Sequence, residues 1–573
     1  MIRALLFTLA LWFLPTTIVA QNAPPPPTKR EMCQAISGDR FAKLEGAATQ
    51  IVSSTFREAK DGKVASCLIE GYVNPAVNFA IAMPADNWNG RYLVRGCGGS
   101  CGTVAIELAC ASHVRDGYAC LHTDMGHRST LIDNNWVANN LQGLVDFGYR
   151  ATHVTTVAGR AILNAFYGED ARKSYFFACS TGGRQGLIEA QRFPEDFDGI
   201  IAIAPASMAP FGKKKAATVA EVDAFNIGPD GKPILPNRKT LLIHRAAIKI
   251  CDKDDGIADG IIGNPMQCGF KPSSLLCKSS DTRQCLTAAQ VGVTEKIYQL
   301  RGAMPGSELN WIGNYLRNAA LPGEISQPVF DLGVGRGDPT TIETLNAPNN
   351  PDLRPFRDNN GKLILVHGWD DHSVMPPPTV DYYETMTQTM GGPEATRKFA
   401  RFFAVPGMDH CAGGKGASAI NYMAAITDWA EKGEAPDKLR GIHTVAGAPL
   451  DYFGVDLPLL DPKWIAFERD HYAWPKSSVA VAGRPIIETL PPMKPLTDAL
   501  GDAVRQGEMA GTAAGFPRRN ILNLALKSMW EILYRSDAPL DEQRAALASL
   551  GRNDLPPIAR EAVARMNAEL TLN

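Results

Sequence analysis

The stretch YFFACSTGGRQG, Tyr175–Gly186, changes character at its midpoint. Its first half is an apolar run of strand length. Its second half opens the segment GRQGLIEAQRF, whose apolar residues recur at helical spacing. Ser180 falls at the junction. A sharp strand-to-helix turn with a serine at its tip is a nucleophile elbow, which exposes the hydroxyl at the carboxyl end of the strand. The helix N-terminus behind it favours the anion that forms during acyl transfer. Against the G-x-S-x-G pattern, Ala178 replaces the first glycine and Gly182 keeps the second. The competing reading is a serine that only N-caps a buried helix.

Working outward, the runs RYLVRG, YACLHTD, GIIAIAP, KLILVHG and RFFAVPG share the strand character of SYFFAC, and RATHVTTVAGRAILNAFYG is helical. Such alternation predicts a mostly parallel sheet flanked by helices, here an α/β-hydrolase fold. From about Ser207 to Arg354 the rhythm gives way to Pro, Gly and Asn-rich sequence with four cysteines, and it resumes at Lys362. The expected organisation is a core in two parts, 33–206 and 355–455, with 207–354 inserted as a lid over the sheet. Residues 456–573 form a C-terminal extension with helical pieces. Its Leu522, Leu526, Met529 and Leu533, at helical spacing, are expected to pack on the domain or on each other, with a dimerisation arm as the alternative.

Among 573 residues, 45% are apolar and 21% charged, enough for a sizeable core, and the formal net charge of −2 gives no field for nucleic acid. Residues 1–20 read as a signal peptide, with one early cation at Arg3 and an apolar run Ala4–Leu14 that Pro15 stops short of a membrane span. Residues 21–32 follow as a Pro-rich tether. The expected location is secreted or periplasmic, where most of the 12 cysteines are expected to form disulfides. Cys33 with Cys67, Cys251 with Cys268, and Cys277 with Cys285 are the expected local pairs. Cys97, Cys101, Cys110 and Cys120 admit three disulfide connectivities, or, with His113 among them, a zinc site.

An elbow of this kind needs an acid and then a histidine after later strands. KLILVHGWDDHSVMPP supplies Asp370 and Asp371, and RFFAVPGMDHCAGG supplies His410. In that scheme His410 takes the Ser180 proton while the carboxylate fixes the imidazole tautomer. Cys179 precedes the serine and Cys411 follows the histidine, so forming the triad brings the two sulfurs together and predicts a disulfide that staples the two loops.

FACSTGGRQGLIEAQRFPEDFDGIIAIAPA, HGWDD and PGMDHCAGG together resemble the tannase and feruloyl esterase family, from about Cys33 to Gly454. The resemblance implies an α/β-hydrolase with the Cys179–Cys411 disulfide, and an acid at the end of an H-G-x-x-D pattern, which selects Asp371 over Asp370. It also implies an oxyanion loop on RGCGGSCG, with the N–H groups of Gly99 and Thr181 as donors. CDKDDGIADGIIGN, read from its residues alone, is either a loop for a hard cation or a solvated acidic turn. The resemblance implies structural calcium there, on the side chains of Asp252, Asp255 and Asp259 and the carbonyls of Ile257 and Ile261. It implies a small aromatic ester as substrate: first an ester of a hydroxylated aromatic acid such as ferulate, chlorogenate or gallate, second mono(2-hydroxyethyl) terephthalate. Tyr298, Trp311, Tyr315 and Phe330 of the lid read either as a platform for the acyl ring or as the lid's own core. A calcium-dependent binding protein on a dead hydrolase fold would lack a triad member, and a thiol oxidoreductase using Cys179 would have a C-x-x-C nearby. Neither feature is present.

Overall fold

The computed structural model describes residues 26–571 apart from 130–135, 137–139, 207–224, 306–344, 446–459, 481–494 and shorter breaks. The signal-peptide reading of 1–20, and Trp311, Tyr315 and Phe330, lie outside the described residues.

One nine-stranded sheet organises the core: β1 Thr49–Arg57, β2 Ser66–Val73, β3 Val77–Pro84, β4 Arg91–Arg95, β5 Ala119–Thr123, β6 Lys173–Cys179, β7 Gly199–Ile203, β8 Lys362–Gly368 and β9 Ala400–Val405. The spatial order is β1-β2-β3-β5-β4-β6-β7-β8-β9. β1, β2, β3 and β5 pair antiparallel, and from β5 to β9 every pairing is parallel. The six strand-like runs of the sequence are the six parallel strands. Helices cover both faces of these strands, which is why they read as continuous apolar runs. On β6, Phe176 and Ala178 join one core layer while Tyr175, Phe177 and Cys179 join the other. Each phenylalanine buried this way contributes about 1.5–3 kcal/mol.

A second, antiparallel sheet of four strands comprises β10 Ala419–Ile420, β11 Lys438–Thr444, β12 Ile465–Tyr472 and β13 Val479–Ala480. The C-terminal segment therefore contributes a strand, β12, that pairs along β11. Four helices come next, Leu496–Ala513, Arg518–Arg535, Leu540–Leu550 and Pro557–Thr571. They share one apolar cluster that includes Leu522, Leu526, Met529 and Leu533, so the extension packs mainly on itself. Leu241, from the helix Asn237–Cys251, joins this cluster, and Arg245 of the same helix donates to the Ala538 carbonyl at 3.3 Å.

All 12 cysteines pair. Cys33–Cys67, Cys179–Cys411, Cys251–Cys268 and Cys277–Cys285 are bonded. The remaining four form Cys97–Cys101 and Cys110–Cys120, which removes the thiolates a zinc site would need.

Candidate active site

The helix Thr181–Arg192 begins directly after β6, and Ser180 makes the turn between them at φ 62°, ψ −122°. That left-handed backbone is costly for a residue with a Cβ and persists only where the surroundings enforce it. Here the Ser180 N–H donates to the Ile203 carbonyl at 2.9 Å, and its own carbonyl accepts from Ala206 and Arg184, each at 3.0 Å. The two glycines after Thr181 answer to close approach. A Cβ on Gly182 would lie 2.3 Å from the Ala178 methyl, and one on Gly183 would lie 2.2 Å from the Ile203 oxygen. Alanine at 178 is thus accommodated because 182 has no side chain.

β8 and β9 run parallel to β6, so the segments after their carboxyl ends emerge at the same sheet edge as Ser180. Asp371 follows β8 and is 2% exposed, and His410 follows β9. His410 Nδ1 and Asp371 Oδ2 are 2.7 Å apart. The other carboxylate oxygen accepts from the backbone N–H groups of Ser373 and Val374 at 2.9 and 2.8 Å. His367, fully buried, brings Nε2 to 3.3 Å from Asp371 Oδ2. Burial would push the Asp371 carboxyl up, but the charge of His410 and the hydrogen bonds from His367 and His410 outweigh it and hold the group well below the usual carboxylate range. Asp370 does not take this place. Its N–H is bonded to the Met408 carbonyl at 3.0 Å, and the adjacent Asp371 carries the contact with His410.

The Cys179–Cys411 disulfide sets the Cα atoms of those residues 5.7 Å apart. Ser180 and His410 are each one residue away, so their Cα atoms are at most about 13 Å apart. On the other side of the elbow, Thr181 Oγ1 donates to the Gly99 carbonyl at 2.8 Å, and Gly99 sits at φ 53°. Thr181 is the first residue of its helix, where the backbone N–H has no intrahelical acceptor. Ser180, Thr181, Gly99, Asp371 and His410 are thereby gathered at one end of the sheet. Tyr298 packs instead against the apolar cluster that holds Ile243, Leu286 and Ile297, which Met375 also joins.

In the acidic loop, Asp252 Oδ1 accepts from the N–H groups of Asp259, Gly260 and Ile261 at 3.1, 2.7 and 3.1 Å. Arg469 of β12, itself 2% exposed, lies 3.5 Å from Asp255 Oδ2 and pairs with Asp259 Oδ2. Burial pushes both carboxyls up, against the pull of that guanidinium. Two carboxylates against one guanidinium, with Asp252 on the same loop, leave surplus negative charge on an all-oxygen donor set, a chemistry that fits a hard divalent cation. Among the described residues these three carboxylates do not all lie within 4.8 Å of one another. Sequence reading missed Arg469 and His367. His367 carries a local signal, since it precedes Asp371 by four residues in the H-G-x-x-D pattern, whereas Arg469 is more than two hundred residues from the loop it meets.

The tannase and feruloyl esterase family model matches residues 63–311 and 340–475, which extends past Gly454 and through β12. An uncharacterized esterase of Xanthomonas campestris is 32% identical over 69% of this chain and 81% of its own length. Mono(2-hydroxyethyl) terephthalate hydrolase of Piscinibacter sakaiensis is 29% identical over 75% of this chain and 87% of its own. The crystal structure of feruloyl esterase B from Aspergillus oryzae superposes with a TM-score of 0.63 at 26% identity, covering 78% of this chain and 96% of that one. The chain belongs to the tannase and feruloyl esterase family, and is a carboxylic ester hydrolase with the α/β-hydrolase fold.

Proposed function

We propose that the protein is an exported serine esterase that cleaves esters of hydroxylated aromatic acids through an acyl-enzyme on Ser180. The observation that carries this reading is the Asp371–His410 pair at 2.7 Å, tied by Cys179–Cys411 to a serine held at positive φ. With Nδ1 on Asp371, Nε2 of His410 is the proton-accepting nitrogen. It takes the Ser180 hydroxyl proton as Oγ attacks the ester carbonyl, and the N–H groups of Gly99 and Thr181 receive the negative charge on oxygen. Collapse of the tetrahedral species breaks the bond to the alcohol, which leaves with the proton from His410. Water then repeats the sequence on the acyl-enzyme, releasing the acid and restoring Ser180. Asp371, ionised throughout, stabilises the imidazolium at both stages.

Export is supported by six disulfides, which persist in oxidising compartments. No helix among the described residues is long and apolar enough to cross a membrane. Calcium would be held by the side chains of Asp252, Asp255 and Asp259 with the carbonyls of Ile257 and Ile261. It would supply charge neutralisation to the lid loop, and no chemical step passes through it. An aromatic acyl group is supported by what the similar proteins are named for, feruloyl and terephthaloyl esters. The second reading, a terephthalate monoester hydrolase, is favoured by the match that spans 87% of that relative. Turnover of methyl ferulate, chlorogenate, methyl gallate and mono(2-hydroxyethyl) terephthalate by the purified protein tests the proposal. Preference for the first three over p-nitrophenyl acetate is expected. Preference for the terephthalate monoester would select the second reading, and cleavage of the acetate alone would refute an aromatic acyl pocket.

A further inference from the structure

The segment between Cys97 and Cys101 is Gly98–Gly99–Ser100, and two adjacent glycines give it more backbone freedom than any L residue allows. An oxyanion donor is useful only if it is held within about 0.5 Å of its working position. The structure offsets that freedom in three ways. The Cys97–Cys101 disulfide closes the segment at both ends, with its cysteines 8% and 3% exposed. Each carbonyl between them is engaged: Gly98 O by the Cys101 N–H at 3.0 Å, Gly99 O by Thr181 Oγ1 at 2.8 Å, and Ser100 O by His127 Nε2 at 2.7 Å. Carbonyl dipoles that would repel an oxyanion are thus committed to donors of the protein. Finally, Gln185, 2% exposed, directs Nε2 to Cys97 Sγ at 3.0 Å and toward Cys101 Sγ at 3.7 Å. Gln185 lies four residues after Thr181 on the helix behind the serine, so both contacts come from one helix face.

We infer that the Cys97–Cys101 disulfide and Gln185 are positioning residues that fix the Gly99 main chain relative to Ser180, so that their removal impairs transition-state stabilisation more than substrate binding. The inference rests on the Ser180 acyl-transfer reading. None of the three side chains touches the reacting atoms; they act through the main chain of the loop. The linkage is specific to this segment. The neighbouring Cys110–Cys120 disulfide ties the helix Ile106–Arg115 to β5 and closes no part of the glycine segment.

Three variants test this with methyl ferulate or whichever ester the parent turns over: Cys97→Ala/Cys101→Ala, Gln185→Leu, and, as a matched control, Cys110→Ala/Cys120→Ala. Loss of a whole oxyanion donor costs about 10²–10³ in kcat, so a loosened one should cost about 10–100-fold in the first variant, with KM within about twofold. The rate of labelling by a phosphonate, whose phosphoryl oxygen occupies the same place, should fall in parallel. Gln185→Leu keeps the disulfide and replaces a buried amide by an apolar group of similar size. It should lower kcat by several-fold while leaving melting temperature unchanged or higher, which a purely structural role would not produce. The control should lose melting temperature with kcat retained. Equal kcat losses in the two disulfide variants, or a loss confined to KM, would overturn the inference, and Gln185→Leu with parental kcat would remove Gln185 from it even if the first variant fails to fold. A parent whose turnover survives Ser180→Ala would instead signal failure of the underlying reading.

Discussion

Removing the Cys179–Cys411 disulfide should separate two effects expected of it. Cys179 and Cys411 are 232 residues apart in sequence, and the chain-entropy relation for a loop of that length gives about 5 kcal/mol at 25 °C. Cys251–Cys268 and Cys277–Cys285 lie inside the loop but shorten its free path only slightly, so about 5 kcal/mol remains the expected ceiling. Against a total stability of roughly 5–15 kcal/mol this is a large fraction. Cys33–Cys67 closes a separation of 34 residues far from Ser180, and the same relation gives about 4 kcal/mol. Cys179→Ala/Cys411→Ala and Cys33→Ala/Cys67→Ala are therefore close to matched in stability cost and differ in what they hold. Urea unfolding measures the first quantity. Ester turnover, at a temperature where both variants are folded, measures the second. The first pair should lose at least about tenfold in kcat, since a misplacement near 1 Å can cost about 10²-fold, and the second should keep it. Parental kcat in a folded Cys179→Ala/Cys411→Ala protein would refute the idea that this bond holds the serine and histidine in register.

Three other outcomes are expected. Asp371→Asn should lower kcat by about 10⁴ through the wrong imidazole tautomer, and Asp370→Asn by less than about tenfold; equal losses would refute the choice of acid. The lowered folded-state pKa of Asp371 means its contribution to stability is fully present above pH 3.8, the ordinary aspartate value, and is lost as pH falls toward the lowered one. Unfolding free energies measured from pH 7 to pH 3 should accordingly converge for wild type and Asp371→Asn only below about pH 4, and a constant difference would contradict that linkage. Chelation should lower melting temperature, and calcium should restore it, by an amount equivalent to about 2.7 kcal/mol at a hundred times the dissociation constant. An unchanged melt would leave Arg469 and the loop's own backbone N–H groups to hold these carboxylates.

How legible each element is in the sequence depends on where it sits. The six parallel strands could be read because both their faces are buried and their residues are apolar without interruption. β1, TQIVSSTFR, could not, because an edge strand that is half-buried along most of its length mixes threonine, serine and glutamine with its apolar residues. β12, IAFERDHY, is hidden for a different reason. Its Arg469, Asp470 and His471 are buried, and their partners lie elsewhere in the fold. Ser180 and His410 stand out as candidates in the sequence because a nucleophile elbow prescribes the chain order of its acid and its base. The choice between Asp370 and Asp371 needed the family pattern; in the structure it is the Asp371 carboxylate that lies 2.7 Å from His410 Nδ1. Pairing Cys97 with Cys101 and Cys110 with Cys120 required the positions of a loop, a helix and a strand that spacing alone leaves open.

The most direct measurement is covalent labelling of the purified protein with a fluorophosphonate, read by intact mass and peptide mapping, beside ester turnover by wild type and Ser180→Ala. A single adduct on the peptide bearing Ser180, loss of turnover in proportion to labelling, and a kcat reduced by at least about 10³ in a folded, unlabelled Ser180→Ala protein are predicted. Turnover that persists in Ser180→Ala, or an adduct that forms elsewhere, would contradict a serine esterase built on this elbow.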